Sequence, residues 1–245
     1  ELFIFDDAST DSSWEIIQGY DDPRMHGFRN EVNRNDKMTL NKTIFELASG
    51  EFIAIQHSDN IWHPQKLEKQ VIFLDESPQT GSVFTNAAII DEQGAAITNH
   101  AHPYYKKFDQ PNRTRQSWLN YFFYKGNALC HPSVLTRKAC YDNVGPYRSG
   151  LIQLPDLDMW VRLGMKYEIH VLPQELVQFR VLRDESAASG NRPATRIRTQ
   201  YETLKILENY KNIPNITELL KIFPEAKPYL NTKHPDHLYA LGRVA

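Results

Sequence analysis

Three polar clusters in this chain carry residue types that can do chemistry. Asp6 and Asp7, followed by Ser9, Thr10 and Asp11, close the apolar run at residues 2–5. An acidic pair at a strand mouth can accept hydrogen bonds from a nucleobase or ribose, as acidic residues do in dinucleotide folds. The same residues also suit a turn or a cap. His57, Ser58, Asp59 and Asn60 close a second short apolar run at residues 52–55. A carboxylate there can bind a hard divalent cation that also holds phosphate oxygens. A plain polar turn, with Asn60 capping the next helix and His57 hydrogen-bonded as a structural residue, reads equally well. Asp156 and Asp158 stand where a helix begins, just before Trp160. Acidic side chains there complement the helix dipole. One of them held at the helix mouth is also a positioned general base. Burial beside Trp160 would raise its pKa toward neutrality. Spacing alone does not choose between these readings.

The elements around the clusters follow from pattern. Residues 2–5 form a continuous apolar run of the kind seen in buried parallel strands. Asp11, Ser12 and Ser13 offer caps for a helix carrying Trp14, Ile16 and Ile17, and Pro23 lies beyond it. Residues 25–28 read as a second strand. From Asp36 a helix places Leu40, Ile44, Leu47 and Ala48 on one face, with Gly50 as its stop. After the strand at 52–55, Pro64 opens a helix with Leu67, Val71 and Leu74 on one face. Residues 82–90 are a strand, and the turn at 91–94 leads into a partner strand. This alternation predicts an α/β fold with a mainly parallel sheet between helices. Ligands of such sheets bind beyond the carboxyl ends of the strands.

The second half is less regular. A polar, proline-broken loop is expected at 100–115 and an aromatic-rich helix at 117–124. Strands are expected at 133–135, 169–172 and 176–182, with helices near 138–143 and 157–167. The polar segment 183–193 reads as a mobile loop. A helix carrying Ile197, Tyr201, Leu204 and Tyr210 follows, and Pro214, Pro224, Pro228 and Pro235 divide the tail.

Composition narrows the function. The 245 residues carry 28 Lys and Arg against 30 Asp and Glu, a net charge of −2. That gives no support to nucleic acid as a partner, since such binders are basic. The two cysteines, Cys130 and Cys140, can form neither a disulfide framework nor a thiolate zinc cluster. No apolar run approaches the roughly 18 residues of a membrane span, and no signal peptide is visible, so a cytoplasmic location is expected. Residues 192–245 carry nine Lys and Arg against five Asp and Glu, a mild basic bias that could touch an anionic membrane surface. The chain opens without Met in a strand already under way, and its last residues read as a helix cut short. Both ends are expected to continue in the natural protein. Oligomeric state is not legible.

Taken in order, the clusters resemble the inverting GT-A glycosyltransferases of family 2. Residues 6–11, Asp-Asp-Ala-Ser-Thr-Asp, are similar to that family's D-D-x-S-T-D. Asn33, Asn41 and residues 48–53 resemble its N-x-G…R-N…A-S-G-E-Y-I stretch. Residues 57–64 occupy its D-x-D-D-x-W-x-P segment, and 66–70 the helix after it. Residues 156–163 resemble its E-D-x-D-L-W-L-R-L run. The likeness spans residues 1 to about 185. Any one motif is weak, and four in order are strong. The family's first strand and helix are absent. His57 replaces the first Asp of D-x-D, with the second kept as Asp59. Leu40 replaces an Arg, for which Arg34 or Lys37 could compensate, and Pro155 replaces a Glu.

The resemblance implies sugar transfer from a nucleotide-sugar donor, most plausibly a UDP-sugar, to a saccharide or lipid-linked acceptor, with inversion. It implies that Asp7 binds the base, with Asp6 and Ser58 in the nucleotide site. Asp59 would bind Mn2+ or Mg2+, with His57 nearby. Asp156 would take the acceptor's proton, and Asp158, Trp160 and His131 would position it or face the acceptor. The implied setting is polysaccharide biosynthesis for the cell envelope, at the inner face of the membrane. The expected organisation is a GT-A domain at 1–190, with a nucleotide half at 1–98 and an acceptor half at 99–190. A helical C-terminal extension at 191–245 follows. The rival readings are a non-catalytic sugar-nucleotide or glycan-binding module and, lower, a nucleotidyltransferase, whose glycine-rich phosphate loop is not seen.

Overall fold

The computed structural model describes residues 1–33, 38–182, 192–230 and 236–244. Its strands fall into two sheets. In the smaller, β1 (Leu2–Asp6) pairs in parallel with β2 (Met25–Arg29). The connecting helix α1 (Ser13–Gln18) lies close on β2 because residue 27 is glycine. A Cβ there would stand 3.0 Å from the Ile17 Cγ2 atom. The larger sheet has five strands in the order β3-β6-β5-β7-β4. These are β3 (Phe52–Ala54), β4 (Ile61–Trp62), β5 (Thr80–Ile90), β6 (Leu135–Arg137) and β7 (Glu168–Arg180).

The two long pairings, β1 with β2 and β5 with β7, are parallel. The three antiparallel pairings hold two or three residue pairs each. The sheet is therefore mixed and mainly parallel, as the alternation predicts, but it is split in two. Among the described residues β1 pairs with β2 alone and β3 with β6 alone.

Helix α3 (Lys66–Glu76) covers one face of the larger sheet at β5 and β6. On the other side α4 (Arg115–Lys125), α5 (Lys138–Val144) and α6 (Pro155–Gly164) enclose the main core. Trp118, Leu119, Met159 and Trp160 are buried there. β5 is buried along its whole length apart from a half-buried Ala88, which is the signature of a strand covered on both faces. The C-terminal helices α7 (Pro193–Leu207), α8 (Ile216–Ile222) and α9 (His237–Val244) close over α4 and α6. Ile206, Tyr210, Leu219, Phe223 and Leu241 join the same apolar cluster.

Several local expectations change. The helix predicted from Asp36 is described from α2 (Met38–Lys42) and continues as a π-helical turn, Thr43–Leu47. The strand at 133–135 is a 3-10 turn followed by β6, because Pro132 cannot donate to a ladder. The two strands at 169–172 and 176–182 are one bulged strand, β7, which bends around Pro173. The partner strand after 91–94 reduces to the single bridge Ile90–Ala96. On α3, Leu67 is exposed and Lys66 and Gln70 are buried, so the apolar face is not the one expected. On α7, Ile197, Tyr201 and Leu204 face solvent, and Glu202 and Ile206 turn inward. The loop at 183–191 and the substitutes Arg34 and Lys37 lie outside the described residues.

Candidate active site

The carboxyl end of β1 delivers Asp6 and Asp7. Ala8 then turns the chain with φ 61°, a left-handed conformation uncommon for a non-glycine residue. Buried Asp6 accepts from the Ser9 N–H at 3.3 Å and pairs with Arg29 Nε at 3.1 Å. The Arg29 guanidinium also donates to the Ser9 carbonyl. Asp6 therefore folds the loop back, while Asp7 accepts from Asn30 Nδ2 at 2.8 Å. Beside them lies an open cleft of about 540 Å³, lined by Ala8 to Asp11, Glu15 and residues 29–31.

The loop after β3 presents Ser58 and Asp59 to solvent above a buried Asn60. Asn60 Nδ2 donates to Asp59 Oδ1 at 2.6 Å, and its Oδ1 accepts from the Arg180 N–H. Arg180 Nε donates to the Asp59 carbonyl. The end of β7 thus clamps the loop.

At α6 the helix starts at Pro155, so Asp156 stands in its first turn, not at the cap. Asn127 Nδ2 donates to Asp156 Oδ2 at 2.6 Å, and the Leu157 N–H to Oδ1 at 2.8 Å. The Asp156 side chain is half-buried and fixed in orientation.

Cys130 and His131 join the second and third clusters. The His131 ring meets His57 edge-on at 5.1 Å and Trp160 at 5.5 Å. Its Nε2 shares a 3.2 Å hydrogen bond with the Tyr147 hydroxyl. Burial pushes the Cys130 thiol up, and the charges of Asp156 and Asp59 both add to that rise. The two carboxylates therefore both act on the same buried thiol. Burial likewise raises the Tyr147 hydroxyl, so it stays neutral at physiological pH. Asp6 and Asp7 sit on the separate two-stranded unit, which touches the main body where Glu1 accepts from Ser49.

Residues 1–137 match the family model described as glycosyl transferase family 2. The chain belongs to this family. MJ1057 of Methanocaldococcus jannaschii, an uncharacterized glycosyltransferase, is 26% identical over 230 residues, covering 91% of this chain and 73% of that protein. TuaG of Bacillus subtilis, a putative teichuronic acid biosynthesis glycosyltransferase, is 35% identical over 104 residues, 42% of this chain and 40% of that one. The TarS 1–349 crystal structure from S. aureus in complex with UDP superposes with a TM-score of 0.63 at 19% identity, covering 91% of this chain and 60% of that chain. The fold is GT-A, with a helical C-terminal portion.

In this family 2 chain, Asp158 and Trp160 are core residues. Asp158 is fully buried between Arg148 and Arg162, each at 2.8 Å, and also accepts from Asn209. Trp160 is fully buried and packs edge-on against Phe84. Neither side chain reaches the surface.

Among the described residues no three His, Cys, Asp or Glu side chains converge as a metal cage. Asp59 offers one exposed, oriented carboxylate. That donor set fits a hard cation taking one protein carboxylate and completing its shell with phosphate oxygens and water.

Four residues of this region escaped the sequence reading. Asn127 follows Gly126, whose φ of 74° ends α4 and turns the chain toward α6. Arg180 and Tyr147 lie far in sequence from the groups they hold. Lys107 Nζ stands 4.7 Å from the Tyr104 ring, and loss of water lowers its pKa against an opposing pull from Asp156. Gly126 was the one visible signal.

Proposed function

We propose that this chain transfers a sugar from a nucleotide-sugar donor, a UDP-sugar, to a hydroxyl of a saccharide or lipid-linked acceptor, inverting the anomeric centre. The observation that carries this is the juxtaposition at Cys130–His131. The charges of Asp156, which Asn127 orients, and of Asp59 both reach the buried Cys130 thiol, and the His131 ring meets that of His57. Family membership and the TarS complex with UDP support the donor class. The likeness to TuaG, a putative teichuronic acid biosynthesis glycosyltransferase, supports a saccharide acceptor in cell-envelope polysaccharide assembly. We place the reaction in the cytoplasm at the inner face of a membrane.

In this reading Asp156 removes the proton from the acceptor hydroxyl as its oxygen bonds to the anomeric carbon. The bond from that carbon to the nucleoside diphosphate breaks on the opposite face. Asn127 and the Leu157 N–H hold the Asp156 carboxylate in one orientation. A bound Mn2+ or Mg2+ supplies charge neutralisation for the leaving diphosphate. Asp59 would hold it, with Ser58 and His57 beside it. Asp7 receives the base, and Asp6 fixes the loop that presents it. A general base of this kind contributes about 10²–10⁴-fold in rate.

The test is calorimetric titration with UDP, GDP and dTDP, with and without Mn2+, on the protein and on Asp59→Ala. Metal-dependent UDP binding that Asp59→Ala abolishes supports the donor site. UDP-sugar turnover lost in Asp156→Asn with UDP binding retained supports the base. UDP binding with no turnover in either protein would mark a non-catalytic binding module and overturn the transferase reading.

A further inference from the structure

Helix α7 turns an apolar stripe to solvent. Ile197, Tyr201 and Leu204 are 69%, 59% and 66% exposed. At 3.6 residues per turn they fall within about 60° of one another around the helix. The opposite face, Glu202 and Ile206, is buried. Arg196 lies on one flank of the stripe, and Arg198 and Lys205 lie on the other, all exposed, with Arg198 Nε 3.7 Å from the Glu202 carboxylate and Lys205 Nζ 3.4 Å from that of Glu208. The single acidic residue of α7, Glu202, is fully buried and points inward.

An apolar ridge flanked on both sides by long basic side chains has the charge and shape of a helix lying in a lipid–water interface. The ridge enters the acyl boundary. The basic stems run along it and lift their charges to the headgroups. Tyr201 adds an apolar ring with a polar tip, which suits that depth. Pairing with a second copy through this face would set the arginines and lysine against their own images, and like charges repel. We propose that this face of α7 docks on an anionic bilayer surface. The inference deepens the membrane-side placement proposed above and is independent of the sugar transfer.

The experiment is flotation of the protein with phosphatidylcholine vesicles, with and without phosphatidylglycerol, alongside UDP titration of the same samples. Three proteins are compared: wild type, Arg196→Gln/Lys205→Gln and Ile197→Ser/Leu204→Ser. Wild type is expected to float only with the anionic vesicles, less at high salt. Removing two basic side chains should weaken binding about thirtyfold. Removing two apolar side chains should weaken it on the order of a hundredfold. Both variants alter exposed positions, so UDP binding and thermal unfolding should not change. Three results would overturn the proposal. These are no flotation of wild type, equal flotation of all three proteins, and a concentration-dependent dimer that Ile197→Ser/Leu204→Ser dissolves. Loss of UDP binding in every sample would count against the donor site and leave this inference standing.

Discussion

Replacing Lys66 by methionine should make the protein more stable at neutral pH and leave it unchanged at high pH. Lys66 is fully buried, and its Nζ has no hydrogen-bond partner among the described residues. It stands 3.9 Å from the centroid of the Trp62 ring. Burial lowers its pKa from 10.5 to about 7, against a smaller upward pull from Cys130. Between those values the unfolded chain binds a proton that the folded chain does not, so stability rises with pH across the window. Below about 7 the cost is constant, and above 10.5 both states are neutral and it vanishes. The separation corresponds to about 5 kcal/mol. Cation–π attraction from Trp62, about 2 kcal/mol when desolvated, favours the charged form and reduces the cost to about 3 kcal/mol. Methionine has a similar unbranched shape, no charge, and a sulfur that packs well against an aromatic ring. Urea unfolding of both proteins from pH 7 to 10.5 should show Lys66→Met ahead by about 3 kcal/mol at the low end and the gap closing at the high end. A gap that stays constant with pH, or a wild type more stable at pH 7, would refute the reasoning.

Three further outcomes follow from the same contacts. Glu202→Ala removes a buried carboxylate that accepts from the Ile152, Gln153 and Leu154 N–H groups at 2.8–2.9 Å. With about 1–3 kcal/mol lost per orphaned donor, a stability loss of about 3–5 kcal/mol is expected in denaturant titration. Asn127→Ala frees Asp156 from its 2.6 Å partner. Sugar transfer should fall roughly ten- to hundredfold with UDP affinity unchanged, and steady-state kinetics would show it as a drop in kcat. Gly81→Ala would bring a Cβ to 2.7 Å from the Tyr167 Cβ atom. Such overpacking costs about 1–3 kcal/mol and should read as a lower Tm.

The first half of the chain was legible because its elements are local. Each apolar run of three to five residues ends in a polar cluster, and the clusters at 6–7 and 57–60 fall at strand ends as expected. The split of the sheet was not legible, since strand pairing is a long-range property. The inward face of α3 was misread for a different reason. Gln70 is buried because its amide bridges the Val83 and Ser133 carbonyls, and Lys66 because Trp62 covers it. Periodicity of apolar residues carries no signal for polar groups satisfied by distant partners. His131 could be named but not placed. Its ring contacts with His57 and Trp160 join residues 74 and 29 positions away.

The roles of Asp158 and of the C-terminal segment were the least legible, and they explain each other. The family match ends at residue 137, short of Asp156. The mouth of α6 is held from beyond that point. Glu202 fastens residues 152–154 immediately before the helix, and Asn209 bridges Asp158 while accepting from Arg148. A spacing of two residues from the proposed base suggests a partner in catalysis, yet two residues are about 200° around a helix and point to opposite faces. Asp156 faces Asn127, and Asp158 faces the arginines. Residues 1–137 are thus framed by local family motifs. The start of α6, which carries Asp156, rests on a buried polar network that only folding of the C-terminal helices completes. A half-satisfied network of that kind costs more than an apolar one. Truncation after β7 should therefore disorder α6 and cost the base its orientation, while the clusters at Asp7 and Asp59, fixed by β1, β2 and β7, keep theirs.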